Sequence, residues 1–458
     1  MITFQDFEEL YEKDPNDAIT RVINDWKSGK IYQTAVLADT YDRQENDTIM
    51  NFVKTVLSVS GVKMKDFTAS NNKIASNFFR RLNVQRNTYS LGNGIRFNKE
   101  KANSDTIKAK FGKDFDNTMF WSGYYALTHA LSFPYHIGGN TKYFKATEFA
   151  PLWDEETAEM RGGIRFWQID ADKPSFAVVY NIKGSLKFRK HKDDDNIYKP
   201  QTNDFVPYGV TITQTEAGGI ENIVPFEYST LPIVPFWGST LHQSTLVGLR
   251  SQIDSYDLVR SGFANDLSDI AQIFWIIENY GGMNDKDLAK FRERLLINHI
   301  AEADTSEGGK ITPYAQEIPF QARQAFLNHI RGEIYEGFGA FDTSAMSSAP
   351  KTATEIESAY QPLDENADDF EYQIISCVEK LAEIVGVGEV TPIFKRNKVA
   401  NSSEIVQMLV MLADILDVET IIDHIPFISV DDKKDVLDRI NTESYNRLEN
   451  TTITESEE

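Results

Sequence analysis

One stretch of the chain, which contains no proline between Pro235 and Pro313, constrains the fold most strongly. In its first half, apolar side chains recur at every third or fourth position, which is the spacing of one face of a helix. These positions are Leu246, Leu249, Ile253, Tyr256, Val259, Phe263, Leu267, Ile270, Phe274 and Ile277. The pattern predicts one helix of about 35 residues, or about 50 Å, that ends before Gly281 and Gly282. Because helices average about 11–12 residues, we expect this one to bridge layers or to pack against copies of itself.

The opposite side of this predicted helix is polar. It carries Gln252, Asp254, Asp257, Arg260, Asp266 and Asp269. A second amphipathic stretch runs from Gln321 to Phe338, with apolar side chains that include Phe326 and Ile330. We expect the two helices to pack antiparallel, with the intervening residues forming a small module at their tip.

The charge balance limits what the protein can bind. Among 458 residues, 47 are basic and 69 acidic, which gives a formal net charge of −22. A protein that grips DNA normally carries a basic face, because phosphate neutralisation supplies most of the non-specific affinity. Two interpretations stay open: the protein never meets nucleic acid, or it meets DNA in a role where adhesion would be harmful.

The cysteine content and the hydropathy of the chain indicate its cellular compartment. Cys377 is the single cysteine, so the chain can form neither an intrachain disulfide nor a cysteine-based metal cluster. The chain contains no run of about 18 apolar residues, and its acidic N-terminus does not resemble a signal peptide. We therefore expect a protein of the cytosol, with no membrane segment.

The remaining chain predicts a mixed α+β protein. Residues 1–62 are predicted to be helical, and a further helix is indicated by the spacing of Ile74, Phe78 and Leu82. Residues 116–235 predict one helix followed by a meander of antiparallel strands. A loop over 339–355 precedes a third long helix that contains Pro362, and a short strand follows it. The C-terminal part predicts a helical hairpin, a closing helix and a disordered tail.

Motifs for catalysis are missing from the sequence. It contains no Walker A motif, no His-Glu-x-x-His, no Gly-x-Ser-x-Gly and no Cys-x-x-Cys. The seven histidines show no pairing at helical metal-ligand spacing. We therefore assign no catalytic, cofactor-binding or metal-binding residue, and predict that the protein is not an enzyme.

Five stretches, taken in chain order, carry a family resemblance. They are NVQRNTYSLGNGIRF (83–97), the wing-like segments 124–170, the entry LPIVPFWGSTLHQST with the helix after it (231–269), the loop and helix SSAPKTATEIESAY (347–360), and the C-terminal part that begins PIFKRN (392–443). Together they resemble the portal proteins of tailed double-stranded-DNA phages, in the branch of Gram-positive siphophages.

The resemblance implies a portal fold with an α/β wing, a long helical stem, a small clip and a helical crown. The implied ranges are wing 1–235, first stem helix 236–272, clip 273–317, second stem helix 318–338, tunnel loop 339–353, wing helix and strand 354–398, and crown with tail 399–458. The polar face of the first stem helix would then look toward the channel or solvent.

The resemblance also implies two sets of functional residues. The set near the DNA channel comprises Met346, Ser347, Ser348, Lys351, Arg323 and Arg331. Cations there would steer DNA transiently, or each would simply pair with a neighbouring acid. The set for partner docking in the clip comprises Lys286, Lys290, Arg292 and Arg294.

The partners implied are those of a portal vertex. They comprise eleven further copies in a dodecameric ring, double-stranded DNA, terminase, a head-tail adaptor, and major capsid and scaffolding proteins. The implied location is the virion, with the host cytoplasm during assembly. Two alternatives stay open: another ring-forming virion component, such as an adaptor or minor capsid protein, and a cytosolic hydrolase with an unrecognised site.

Overall fold

The computed structural model divides the chain into two compact units, each described separately below. The first comprises residues 1–36, 82–245 and 338–458, and the second comprises residues 37–81 and 246–337. Within them the structure describes residues 2–57, 62–66, 70–98, 104–193, 195–214, 220–225, 228–269, 274–278, 310–314, 319–346, 353–397, 409, 411, 417–425, 436–440 and 442. Helices and strands are both abundant, so the predicted mixed α+β class is confirmed. None of the helices described could span a membrane.

The helices and strands have the following bounds. The helices are α1 Phe4–Lys13, α2 Pro15–Ser28, α3 Lys30–Asp42, α4 Asp47–Met50, α5 Phe78–Leu91, α6 Ser104–Phe111, α7 Phe115–His129, α8 Leu246–Asp269, α9 Phe320–Phe338, α10 Ala353–Val385 and α11 Val418–His424. The strands are β1 Thr55–Leu57, β2 Lys63–Lys65, β3 Ile95–Asn98, β4 Leu131–Ile137, β5 Asn140–Lys145, β6 Phe149–Trp153, β7 Met160–Gln168, β8 Ser175–Asn181, β9 Gly184–Lys190, β10 Lys199–Pro200, β11 Val210–Gln214, β12 Ile220–Pro225, β13 Phe236–Trp237, β14 Phe274–Glu278, β15 Lys310–Tyr314 and β16 Thr391–Phe394. A 3₁₀ turn covers Thr343–Met346.

The N-terminal helices begin at well-formed caps. Thr3 and Asp6 form a capping box at the start of α1, and the Asp14 side chain accepts from two backbone N–H groups at the start of α2. Phe7 of α1 and Trp26 of α2 are buried, as their helical spacing predicted. The helical prediction for residues 1–62 is wrong at its end, where β1 pairs with β2.

The meander predicted for residues 116–235 is confirmed as a five-stranded antiparallel sheet of order β10-β9-β8-β7-β6. Alternate residues of its central strands point to one core, including Ile164 and Phe166 of β7 and Val179 of β8. Helix α1 contacts this face, where the Tyr11 ring meets the Phe188 ring edge-on at 6.4 Å. A three-stranded sheet of order β13-β4-β5 adds Phe133 and Phe144 to the same core.

The predicted third long helix is confirmed as α10, and its apolar side chains form one stripe. Its members fall at helical spacing and are buried from Tyr360 through Leu381. The N-terminal half of the stripe packs with Tyr89 and Phe341, and the C-terminal half packs with residues of α6, α7 and β3. Pro362 lies inside the helix, and β16 pairs with β3 as the predicted short strand.

The prediction of one helix from Leu246 to Ile277 is wrong in its last part. Helix α8 ends at Asp269, and Ile277 lies in β14, opposite Ile311 of β15. A short apolar run is compatible with a strand as well as with a helical turn. Here the pairing with β15 shows that the run forms a strand. The helix also occupies only part of the predicted range 236–272, because Phe236 and Trp237 pair with β4.

The C-terminal predictions are tested in part only. Helix α11 is capped by the Asp417 side chain, which accepts from Thr420 N at 3.0 Å. Most of the predicted helical hairpin, closing helix and tail lies outside the described residues.

We expect Ile374→Ala to lower the free energy of unfolding by about 2–5 kcal/mol, because Ile374 is fully buried on α10 and its truncation leaves a cavity. Tyr372→Ala is the matched control, since Tyr372 is 70% exposed on the same helix; surface substitutions usually change stability by about 0.5 kcal/mol or less. Urea unfolding followed by circular dichroism measures both. Equal losses for the two variants would contradict the assigned core face.

Candidate functional site

Helices α8 and α9 pack antiparallel within the second unit, as predicted. The Phe263 ring of α8 lies 5.5 Å from the Phe320 ring of α9. Farther along, a Cβ at Gly337 of α9 would lie 3.8 Å from the Gln252 side chain of α8. A late residue of one helix therefore meets an early residue of the other at both ends. Strands β14 and β15, which lie between these two helices in the chain, pair antiparallel with each other.

The two cations predicted near the DNA channel on α9 are in contact with other side chains. Arg323 forms an ion pair with Asp266 of α8, and its guanidinium lies 5.9 Å from the centre of the Phe263 ring. Arg331 lies over the Tyr335 ring at 5.4 Å. Of the two roles expected for Arg323, transient steering of DNA or pairing with an acid, the ion pair with Asp266 favours pairing.

Of the other predicted site residues, only Met346 lies among the residues that the structure describes. Met346 ends the 3₁₀ turn that follows α9. Ser347, Ser348 and Lys351 lie outside the described residues, as do the predicted docking residues Lys286, Lys290, Arg292 and Arg294. The structure therefore brings together only Arg323, its acid partner and the aromatic rings beside it.

Three polar side chains of α8 are buried, and one of them, Asp257, belongs to the face predicted to look toward the channel or solvent, whereas Arg260 of that face is exposed. Asp257, Ser261 and Asn265 are each less than 3% exposed. Their side-chain oxygens accept hydrogen bonds from the backbone N–H groups of Ser76 at 2.9 Å, Ile74 at 3.0 Å and Asn72 at 2.5 Å, respectively. We call these three bonds the polar ladder.

The polar ladder also explains why Ile74 is not helical, although its spacing with Phe78 and Leu82 predicted a helix. Extended backbone advances about 6.6 Å in two residues, and a helix advances about 6 Å in four. The spacing between the N–H groups of residues 72, 74 and 76 would then match the spacing between side chains four residues apart on α8. Helix α5 begins only at Phe78, beyond the last bond.

Asp257 is the charged member of the polar ladder. Its carboxyl also accepts from the Asn46 side chain, which donates in turn to Ser76 O at 3.1 Å. Burial raises the pKa of the Asp257 carboxyl, and the hydrogen bonds oppose that rise. Beside it, Asp254 accepts from Tyr41 Oη at 2.5 Å and from Thr48 Oγ1 at 2.7 Å.

In the first unit, the chain that leaves α9 is held by two other helices. The Gln85 amide of α5 donates to Phe341 O at 2.8 Å and accepts from Phe341 N at 3.1 Å. Asn366 of α10 donates from Nδ2 to Phe338 O at 2.6 Å. The Phe341 ring stacks on Tyr360 with centroids 4.3 Å apart. The composition of this segment predicts only a loop, and no sequence pattern indicates these contacts.

Arg396, in the PIFKRN stretch, contacts three carboxylates on one face of α10. It lies 2.8 Å from Asp364 and 3.0 Å from Glu371, and it also pairs with Asp368. The hydrogen bonds that Arg396 donates to these carboxylates, above all to Glu371, raise its pKa further above its already high value. Tyr89 Oη donates to Asp364 at 2.6 Å, which joins α5 to the same cluster.

These contacts support a structural role more than chemistry. Among the residues described, no group of three or more His, Cys, Asp or Glu side chains could hold a metal ion. Cys377 is buried, and burial raises the pKa of its thiol well above the usual range, which disfavours the reactive thiolate. The polar groups noted above are bonded to one another and to backbone.

Comparison with known proteins adds a match along almost the whole chain. A family model described as a phage portal protein, SPP1 Gp6-like, matches residues 4–448. A portal protein of Clostridium phage phiCD119 is 27% identical over 217 residues, which are 46% of this chain and 48% of that relative. A portal protein of Bacillus phage SPP1 is 31% identical over 232 residues, 47% of this chain and 45% of that relative. The chain thus spans about half the length of these relatives.

Stability should depend on pH through Asp257. Because its folded pKa is raised, its favourable contribution is fully present below its unfolded pKa of about 3.9 and is lost as pH rises through the folded pKa. We expect the unfolding free energy of the wild type, relative to Asp257→Asn, to fall as the pH rises above about 4. Urea unfolding over a pH series measures this difference.

Ser261→Ala is the control, because it removes a bond of the polar ladder without removing a titrating group, and it should lower the unfolding free energy equally at each pH. A pH-independent difference between the wild type and Asp257→Asn would contradict the role assigned to Asp257.

Replacing Arg396 by Met should lower the unfolding free energy by about 2–4 kcal/mol, because three neighbouring carboxylates lose their shared cation. Part of this loss should be recovered in high salt, which screens their repulsion. Arg80→Met is the control, since Arg80 pairs with Asp42 while 44% exposed and such pairs contribute about 0–1 kcal/mol. Comparable losses for both variants would refute the shared-cation interpretation.

Proposed function

Because the chain belongs to the SPP1 Gp6-like family of phage portal proteins, we propose that it forms a ring at one capsid vertex, through which DNA is packaged and later ejected. The observation that carries this proposal is the family match over residues 4–448, which includes both compact units. Portal proteins are structural components of the phage particle, and our proposal assigns no catalytic step to this chain.

The helix pair of the second unit supports assembly with further copies. Large apolar side chains remain exposed on it, at Leu267 of α8 and at Phe320 and Phe326 of α9. Apolar groups at such positions favour contact with another protein surface. In a ring, the same two surfaces of each subunit meet in head-to-tail contacts until the ring closes.

The distribution of charge suits a channel through which DNA slides. Each lysine or arginine that neutralises a phosphate adds a salt-dependent attachment. The chain carries a net charge of −22, and both arginines of α9 already contact side chains of their own chain. Of the two interpretations of the negative charge, we therefore favour contact with DNA without adhesion.

The proposal also covers the ring size, the location and the partners of the protein. We propose twelve subunits per ring, a place in the virion, and assembly in the host cytoplasm. We further propose that terminase and the head-tail adaptor dock at residues 273–317, and that major capsid and scaffolding proteins contact the outer surface. Met346, Ser347, Ser348 and Lys351 would lie near the DNA, and Lys286, Lys290, Arg292 and Arg294 would serve docking.

Electron microscopy of the purified full chain tests the proposal directly. We expect ring particles with a central hole, and native mass spectrometry should report their subunit number. Monomers at every concentration would refute the proposal and favour the hydrolase alternative. Rings that co-purify with a tail component but are not incorporated into capsids would favour an adaptor instead.

A further inference from the structure

The first residues after α9 are fixed far more firmly than a connecting loop requires. Phe341 uses both its backbone N–H and its backbone carbonyl to bond the single side-chain amide of Gln85. This pairing resembles one rung of a β-ladder, in which a donor and an acceptor of one residue are satisfied together. The backbone position of Phe341 is therefore set by α5.

The Phe341 side chain is held as well. Its ring is 8% exposed and lies parallel to the Tyr360 ring, with an interplanar angle of 6°. Tyr360 is stacked in turn on Tyr89, whose hydroxyl donates to Asp364. Stacked aromatic pairs contribute beyond their buried area, so Phe341 is anchored by both its backbone and its ring.

The end of α9 is fixed by a separate set of contacts. Gly339 has φ +65°, a left-handed conformation that suits glycine at a helix end. A side chain there would meet Pro362 O at 3.1 Å, and Asn366 donates to the last helical carbonyl, that of Phe338. Three of the four residues from Phe338 to Phe341 thus contact α5 or α10.

The two anchoring helices are themselves joined firmly. Arg86, next to Gln85, is buried and donates from Nη2 to Asn366 O at 2.7 Å. Its guanidinium also lies 3.8 Å from Asp369 and over the Phe370 ring. Burial lowers the pKa of Arg86 to about 10, so it stays charged near neutral pH. Gln85 therefore reaches Phe341 from a helix whose place against α10 is fixed.

We propose that Gln85 and Tyr360 are positioning residues, which hold Phe341 and so fix the base of the segment between α9 and α10 relative to the first unit. This inference rests on the proposed function, in which that segment lies beside the DNA. Any displacement of the segment by DNA would then begin after Phe341, at Asp342, where Ser344 forms a local turn by donating to Asp342 from N and Oγ.

Hydrogen exchange of the full-length protein tests the anchor without any partner. Gln85→Met keeps the length of the side chain and removes both hydrogen bonds, and Tyr360→Leu removes the stacked ring. We expect exchange at Phe341 N–H to rise about tenfold or more in each variant, while peptides of α10 from Phe370 to Val385 keep wild-type rates. Tyr360→Phe retains the ring and should behave as the wild type. Unchanged exchange at Phe341, or an equal increase throughout α10, would overturn the proposal.

The consequence for DNA is tested in particles. Phages that carry Gln85→Met or Tyr360→Leu should incorporate the protein at wild-type amounts but yield several-fold fewer DNA-filled heads, with Tyr360→Phe restoring the wild-type yield. Normal filling despite faster exchange at Phe341 would refute the positioning role. If the wild type forms no rings, the proposed function fails, whereas the exchange experiment still decides the anchor.

Discussion

The first unit depends on the apolar stripe of α10. One helix supplies Tyr360, Leu363 and Ala367 to a cluster with Tyr89 and Phe341, and Phe370 to Leu381 to a second cluster with α6, α7 and β3. Because the stripe is continuous, a shift of α10 that disrupted one cluster would also expose apolar side chains of the other cluster. Burial of such side chains contributes about 1.5–3 kcal/mol each, so this single face stabilises two of the apolar clusters of the unit, beside the separate cluster of the main sheet. Arg396 reinforces it from outside the core, where one cation is shared by three carboxylates.

The second unit is built on a different principle, since its longest helix buries polar as well as apolar side chains. The polar ladder of Asp257, Ser261 and Asn265 satisfies backbone N–H groups of residues 72–76, a described segment assigned to neither helix nor strand. Unsatisfied N–H groups would cost about 1–3 kcal/mol each when buried, so the ladder makes it possible to pack an irregular segment against a helix. A polar residue that helical periodicity assigns to solvent, here Asp257, can thus be buried.

These two cases show what periodicity can and cannot predict. It located α2, α10 and the strands of the main sheet, because in each the apolar spacing reflects a single buried face. It also located α8 and α9, although Leu267 and Phe326 of their predicted stripes are exposed. It failed at Ile277, where the apolar residues continue at helical spacing but the chain pairs with Ile311 as a strand. It failed again at Asp257 and Ile74, because a buried hydrogen bond between distant segments leaves no apolar trace in either segment. The family resemblance added the functional assignment, which no single residue pattern carried.

The anchor at Phe341 lay beyond sequence reasoning for the same physical reason. Gln85 and Phe341 are 256 positions apart, and a glutamine on a helix next to an arginine predicts only a polar surface. What identifies the pair is the coincidence of three requirements at one place: a left-handed Gly339, a capped Phe338 carbonyl and a backbone rung to Gln85. Because α10 provides both the core stripe and Tyr360, the helix that packs the core of the first unit also carries the ring that holds the base of the segment.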